Sequence, residues 1–246
     1  MNSNSTEMLQ CRNLTKYFGG LTAVHDASFK IYAGEIVGLI GANGAGKTTL
    51  FSLVSGFIKP NKGEITFKGA DITLQPPAAI CKAGLVRTYQ ICRPFPELSV
   101  FENVLIGVFN RERRVLQARQ KAEEIINFFE LKGLAKLPAA KLSTIARKRL
   151  ELAKSFATGP EMMLLDEVLA GLNPGEVETA IEMIYRIHQE GITVWISEHN
   201  MSAIMRISQR IIVMNQGEII AEGKPGEIAS NELVIESYLG KRYLKR

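Results

Sequence analysis

Cysteine is scarce in this chain. It occurs only at Cys11, Cys81 and Cys92, with no C-x-x-C spacing. That argues against a disulfide framework or a zinc site and leaves free thiols in a reducing compartment as the expectation. No apolar run approaches the roughly 18 to 20 residues that a bilayer-spanning helix needs. The start, Met1-Asn2-Ser3-Asn4-Ser5-Thr6-Glu7, lacks the basic and apolar segments of a secretory signal. There is no low-complexity tract and no internal repeat. With 46% apolar and 22% charged residues, global disorder is not expected. Charge of one sign is also in short supply: 30 basic against 25 acidic residues leave a net +5. The basic clusters Arg111-Glu112-Arg113-Arg114, Arg147-Lys148-Arg149 and the tail 241–246 read as solvated faces, with attraction to an anionic surface as a weaker reading. Aromatic residues do not interleave with them as base stacking requires, so no nucleic-acid partner is expected. The expectation that remains is a soluble, cytoplasmic chain of 246 residues, able to bury one large core with a sub-domain inserted.

Against these absences stands one complete motif, Gly41-Ala42-Asn43-Gly44-Ala45-Gly46-Lys47-Thr48-Thr49. It lies between a buried-strand pattern, Glu35 to Ile40, and a helix pattern starting near Lys47. The glycines let backbone N–H groups curl around a β-phosphate, and the helix N-terminus adds positive potential. Lys47 can reach β- and γ-phosphates, while the Thr48 hydroxyl can ligate Mg²⁺.

Residues 8–35 read as short strands with turns at Gly19-Gly20 and Ala33-Gly34, and 63–69 alternates with the period of a half-exposed strand. From about 95 to 157 the pattern turns helical. Val115, Ala118, Ala122, Ile125, Ile126 and Phe129 fall on one face, and a second helix begins at Ser143. The core then resumes with a strand at Met162 to Leu165, a helix capped at Asn173-Pro174, strands at Ile192 to Ile196 and Arg210 to Met214, and a hairpin through Asn215-Gln216-Gly217. Strands alternating with helices predict an α/β fold with a mainly parallel sheet covered on both faces.

The strand Met162-Met163-Leu164-Leu165 ends in Asp166-Glu167, two carboxylates at the C-terminal edge of an open sheet, where ligands bind. Asp166 suits Mg²⁺ through water, and Glu167 suits orienting or deprotonating an attacking water. His199 follows the next strand and is placed as a donor to developing charge, whereas His25 and His188 read as structural. Gln90, at the end of a short apolar segment, means little by itself.

The order of these motifs, from the phosphate loop through Gln90, the Ser143-led helix, Met162 to Glu167, Ala170-Gly171-Leu172-Asn173 and His199, resembles the ATP-binding subunit of ABC transporters over residues 8–240. The resemblance implies an ABC-type ATPase domain: an α/β core with an antiparallel β subdomain (8–94 and 158–240), an inserted helical subdomain (95–157) and a basic tail (241–246). It implies ATP and Mg²⁺ as cofactors. Gly41, Asn43, Gly44, Ala45, Gly46, Lys47, Thr48 and Thr49 would hold phosphates, with Phe18 on adenine and Val24 also at the nucleotide. Glu167, His199 and Gln90 would be catalytic, and Thr48, Gln90 and, through water, Asp166 would hold the metal. Ser143 would serve the nucleotide of a second ATP-binding subunit in a head-to-tail dimer, with Asn173 in the loop crossing the interface. Integral membrane permease subunits would dock near Gln90 to Asn103, an extracytoplasmic solute-binding protein would act indirectly, and the chain would sit on the cytoplasmic face of the membrane.

Gly84-Leu85-Val86-Arg87-Thr88-Tyr89-Gln90, Leu98 to Val104, Leu14 to Val24 and Tyr238-Leu239-Gly240 are similar to the branched-chain amino acid importers within that family. Urea, amide or other amino acid importers, a lipid exporter and a binding-only subunit are the alternatives. The departures are concentrated in the signature, where Leu-Ser-Gly-Gly-Gln is usual and Leu142-Ser143-Thr144-Ile145-Ala146 stands here. Ser143 can still cap its helix and offer a hydroxyl, but β-branched Ile145 forbids the closest backbone approach. Val168 replaces a usual proline, and Asn173 a usual aspartate. Either the chain pairs with a different ATP-binding subunit, or a homodimer tolerates the change.

Overall fold

The computed structural model describes residues 6–88 and 94–239. Gln90, Cys92 and the basic run 241–246 lie outside the described residues. Along the chain the elements are β1 (Glu7–Phe18), β2 (Leu21–Tyr32), β3 (Ile36–Ile40), α1 (Lys47–Val54), β4 (Lys62–Phe67), β5 (Ala70–Asp71), α2 (Pro77–Ala83) and β6 (Leu85–Arg87). They continue with α3 (Val100–Val108), α4 (Val115–Phe128), α5 (Thr144–Ala157), β7 (Met162–Asp166), α6 (Pro174–Gln189) and β8 (Thr193–Ser197). The last are α7 (Met201–Ile207), β9 (Arg210–Asn215), β10 (Glu218–Gly223), α8 (Pro225–Ala229) and α9 (Glu232–Leu239). The chain forms two compact units, one of residues 1–80 with 193–246 and one of residues 81–192.

In the first unit, β1 and β2 form an antiparallel pair closed by the two-residue turn Gly19-Gly20, with Phe18 opposite Leu21. The sequence suggests several short strands here, but the structure has two of twelve residues each. Bulges take up the irregularity. Asn13 and Asp26 adopt positive φ (49° and 48°), and Asn13 Nδ2 donates to Asp26 Oδ1 at 2.7 Å across the pair. β4 joins β1 and carries β5, which completes the antiparallel sheet β2-β1-β4-β5.

A second sheet in this unit places β3 between β8 and β9, parallel to both. Every residue of β3 and β8 is buried, as expected of parallel strands covered on both faces. Trp195 on β8 is fully buried and packs against Phe29 and Phe51 with ring centroids 5.1 and 4.6 Å away. At Gly38, a Cβ would stand 2.8 Å from Ile204 Cγ2 and 2.7 Å from Ser208 Oγ, so glycine lets α7 close on β3. β9 and β10 form the expected hairpin, with Asn215 opposite Glu218.

In the second unit β6 runs parallel to β7, with Leu85 opposite Met162. Helices α3, α4 and α5 pack on one another. Gly107 allows the α3–α5 approach, since a Cβ there would be 2.8 Å from Ala157 Cβ. A Ser99–Glu102 capping box starts α3, and buried Asn103 ties the preceding loop by donating to the carbonyls of Phe95 (3.0 Å), Leu98 (3.2 Å) and Ser99 (3.0 Å). α4 buries Ala118, Ala122, Ile125 and Ile126 of the stripe read from the sequence, whereas Val115 at its first turn is 61% exposed, and α5 begins behind Ser143 as expected. Among the described residues no helix is long and apolar enough to cross a membrane. Cys11 is a buried thiol and Cys81 a partly buried one, and burial pushes both above the ordinary thiol value.

Candidate functional site

In the first unit the glycine-rich loop leaves the end of β3 and enters α1 at Lys47. Gly44 and Gly46 have φ of +79° and +103°, a region that costs an L side chain strain. Gly46 also has no room: a Cβ would lie 2.4 Å from the Ala23 carbonyl oxygen. Gly41 is confined in the same way, 2.3 Å from the Met214 carbonyl oxygen. The β9–β10 turn braces the loop from outside. The Gly217 N–H donates to the Ala45 carbonyl at 3.0 Å, and the His25 N–H donates to the Gly217 carbonyl at 2.8 Å. The loop is therefore preformed by its neighbours.

Lys47 is buried, and its Nζ donates to the carbonyls of Gly41 (2.6 Å) and Ala42 (3.2 Å). An ammonium parked on loop carbonyls can move to a stronger acceptor within the same loop. Thr48, Asn43 and Gly44 are exposed, and the first turn of α1 holds no acidic side chain to neutralise its positive end. The arrangement could seat an anion, with a buried cation beside it.

Phe18 ends β1 with 48% of its surface exposed, and Lys16 Nζ stands 5.3 Å from its ring centroid. Val24 is wholly buried. His199 is exposed just past β8, beside Asn200, whose side chain caps α7 by accepting from the Ala203 N–H at 3.0 Å. A residue that sequence reasoning used only as a family marker, Tyr238 on α9, stands near the Gly41 N–H. Partial burial raises its phenol above the ordinary value against the pull of that N–H.

In the second unit, all five residues of β7 are buried and deliver Asp166 and Glu167, both also buried. Glu167 adopts a left-handed backbone (φ +49°), unusual for a residue with a side chain and common where function sets the geometry. Lys148 on α5 donates to the Val168 carbonyl at 2.8 Å, which ties the turn after Glu167 to the Ser143-led helix. Ser143 caps that helix by accepting from the Ala146 N–H at 3.4 Å, and Thr144 is exposed. Asn173 caps α6 in a box with Glu176.

The second residue that sequence reasoning missed is Arg87. Its Nη2 lies 2.6 Å from Asp166 Oδ2, with the two side chains only 7% and 2% exposed. The signal was present: a charged residue at the end of the apolar strand Leu85-Val86 must find a counter-charge when the strand is buried.

Comparison with known proteins adds the following. A family model described as "ABC transporter" matches residues 24–170, and one described as "Branched-chain amino acid ATP-binding cassette transporter" matches residues 218–243. The chain is 38% identical to the high-affinity branched-chain amino acid transport ATP-binding protein LivG of Salmonella typhimurium, over 96% of this chain and 99% of that one. It superposes with a TM-score of 0.86 and 32% identity on the ADP conformation of MJ1267, an ATP-binding cassette of an ABC transporter, covering 96% of this chain and 99% of that one. A dimeric bacterial ABC transporter cassette, MJ0796, is 25% identical with a TM-score of 0.80, covering 89% of this chain and 99% of that one.

Proposed function

The chain belongs to the ATP-binding cassettes of ABC transporters, and from that premise we propose that it binds and hydrolyses ATP to energise a membrane importer of branched-chain amino acids. The observation that carries the cargo is the match of residues 218–243 to the branched-chain amino acid cassettes, joined to full-length likeness to LivG. Permease subunits hold the chain at the cytoplasmic face of the membrane, and an extracytoplasmic solute-binding protein supplies the solute.

In this reading the N–H groups of Asn43 to Thr49 cradle the ATP phosphates, and Lys47 leaves the Gly41 and Ala42 carbonyls to pair with them. Phe18 offers an exposed ring to adenine. Glu167 orients and deprotonates the attacking water, His199 stabilises the charge on the transferred phosphoryl group, and Gln90 links the γ-phosphate to the membrane partner. Thr48, Gln90 and, through water, Asp166 would hold Mg²⁺, whose charge would offset that of the phosphates. The donor set fits that ion: the Thr48 hydroxyl and the Asp166 carboxylate are hard oxygen donors, and Mg²⁺ is commonly held by one or two carboxylates plus phosphates and water rather than a protein cage.

The active unit is a dimer in which Ser143 faces the partner's nucleotide. Exposed Thr144 and partly exposed Ile145 stand where the closest backbone approach is wanted, which supports pairing with a different ATP-binding subunit that brings an intact signature. The experiment is uptake of labelled leucine, isoleucine and valine by the source cell with this gene deleted. Uptake of at least one is expected to collapse, and to return with the native chain but not with Glu167→Gln. Undiminished uptake of all three rejects the cargo.

A further inference from the structure

Asp166 does not wait for a metal with a free carboxylate. Arg87, the last residue of β6, holds Asp166 Oδ2 at 2.6 Å with both side chains out of water. A buried pair of this kind is expensive to desolvate, and its mutual attraction is what makes burial tolerable. The next residue is fixed to β7 twice: the Thr88 N–H donates to the Leu164 carbonyl at 2.9 Å, and Thr88 Oγ1 accepts from the Asp166 N–H at 3.2 Å. The Arg87 backbone is therefore anchored beside Asp166, and only its side chain can give way.

We propose that Arg87 is an internal counter-cation that competes with divalent metal for Asp166 and sets the Mg²⁺ concentration at which the chain takes up nucleotide. The proposal rests on reading Asp166 as the metal-holding carboxylate. With Arg87 in place, the single negative charge of Asp166 is already balanced and one of its oxygens is engaged. A metal arriving through water meets a weakened acceptor and a second cation at close range. In the metal-free protein the same contact keeps a buried carboxylate from standing alone. Arg87 is a positioning residue, because it acts through Asp166.

The test is equilibrium binding of ADP to the purified full chain, so that hydrolysis plays no part, with Mg²⁺ varied from chelator to millimolar. Removing a cation next to a divalent ion at partly buried range is expected to lower the half-saturating Mg²⁺ for Arg87→Gln by roughly tenfold. Arg87→Lys, which keeps the charge on a simpler stem and so spares the fold, is expected to stay within about threefold of the native value. A readout without nucleotide accompanies it: Mg²⁺ alone should raise the unfolding temperature of Arg87→Gln more than that of the native chain. Equal or higher half-saturating Mg²⁺ in Arg87→Gln overturns the competition. A native chain that binds ADP equally with and without Mg²⁺ overturns the metal reading of Asp166 and the proposal with it. A native chain that binds no ADP rejects the nucleotide reading itself.

Discussion

Replacing Glu167 by Gln should cut ATP hydrolysis by about 10²- to 10⁴-fold, the range for losing a positioned general base. ATP affinity should be retained. The amide preserves size and shape in a buried position, so the fold should be undisturbed. What it removes is the ability to take a proton from water. The geometry supports that assignment over an incidental acidic pair after a strand. Glu167 is held in a left-handed conformation, and the carbonyl after it accepts from Lys148 of α5 at 2.8 Å. A strained residue tied to the helix that starts at Ser143 is not an accident of a surface turn. Steady-state phosphate release, with ADP affinity as the folding control, reads the result. A loss below about tenfold would move the base elsewhere.

Lys47→Ala should weaken ATP binding by about 100-fold, the scale of losing two charge-assisted hydrogen bonds. The native side chain is buried and rests on two carbonyls of its own loop. Those contacts order the lysine, and the two carbonyls themselves carry no charge. Its alanine replacement therefore removes the cation while leaving the glycine geometry of the loop, which the β9–β10 turn supports independently. Unfolding temperature should change little, whereas titration with ATP and with ADP should both show the loss. Wild-type affinity in the variant would mean that Lys47 does not leave its carbonyls.

The segments behind these two predictions are legible in the sequence alone, and the reason is local. A phosphate loop is contiguous, and its glycines, lysine and threonine announce themselves at fixed spacing. The β7 carboxylates are legible too, because four apolar residues and two acids define a buried strand with a charged exit. The β9–β10 hairpin and the start of α5 followed from Gln216-Gly217 and from Ser143. What was hidden depends on long-range pairing. Arg87 and Asp166 are 79 residues apart, and only the parallel register of β6 on β7 brings them together. Tyr238 and Gly41 are 197 positions apart in sequence, and the helix that carries Tyr238 is placed by its packing on β10. The two twelve-residue strands escaped a reading as short pieces because bulges at Asn13 and Asp26 break the period of two. Short helices such as α7 and α8 hold too few turns for a periodic signal.

The measurement that reaches the central claim most directly is calorimetric titration of Mg²⁺ and ATP into the purified Glu167→Gln chain, which holds nucleotide without consuming it. The account predicts saturation at one ATP per chain, abolished at the same concentrations when Lys47→Ala is added. No binding heat and no retained nucleotide at millimolar ATP would contradict it.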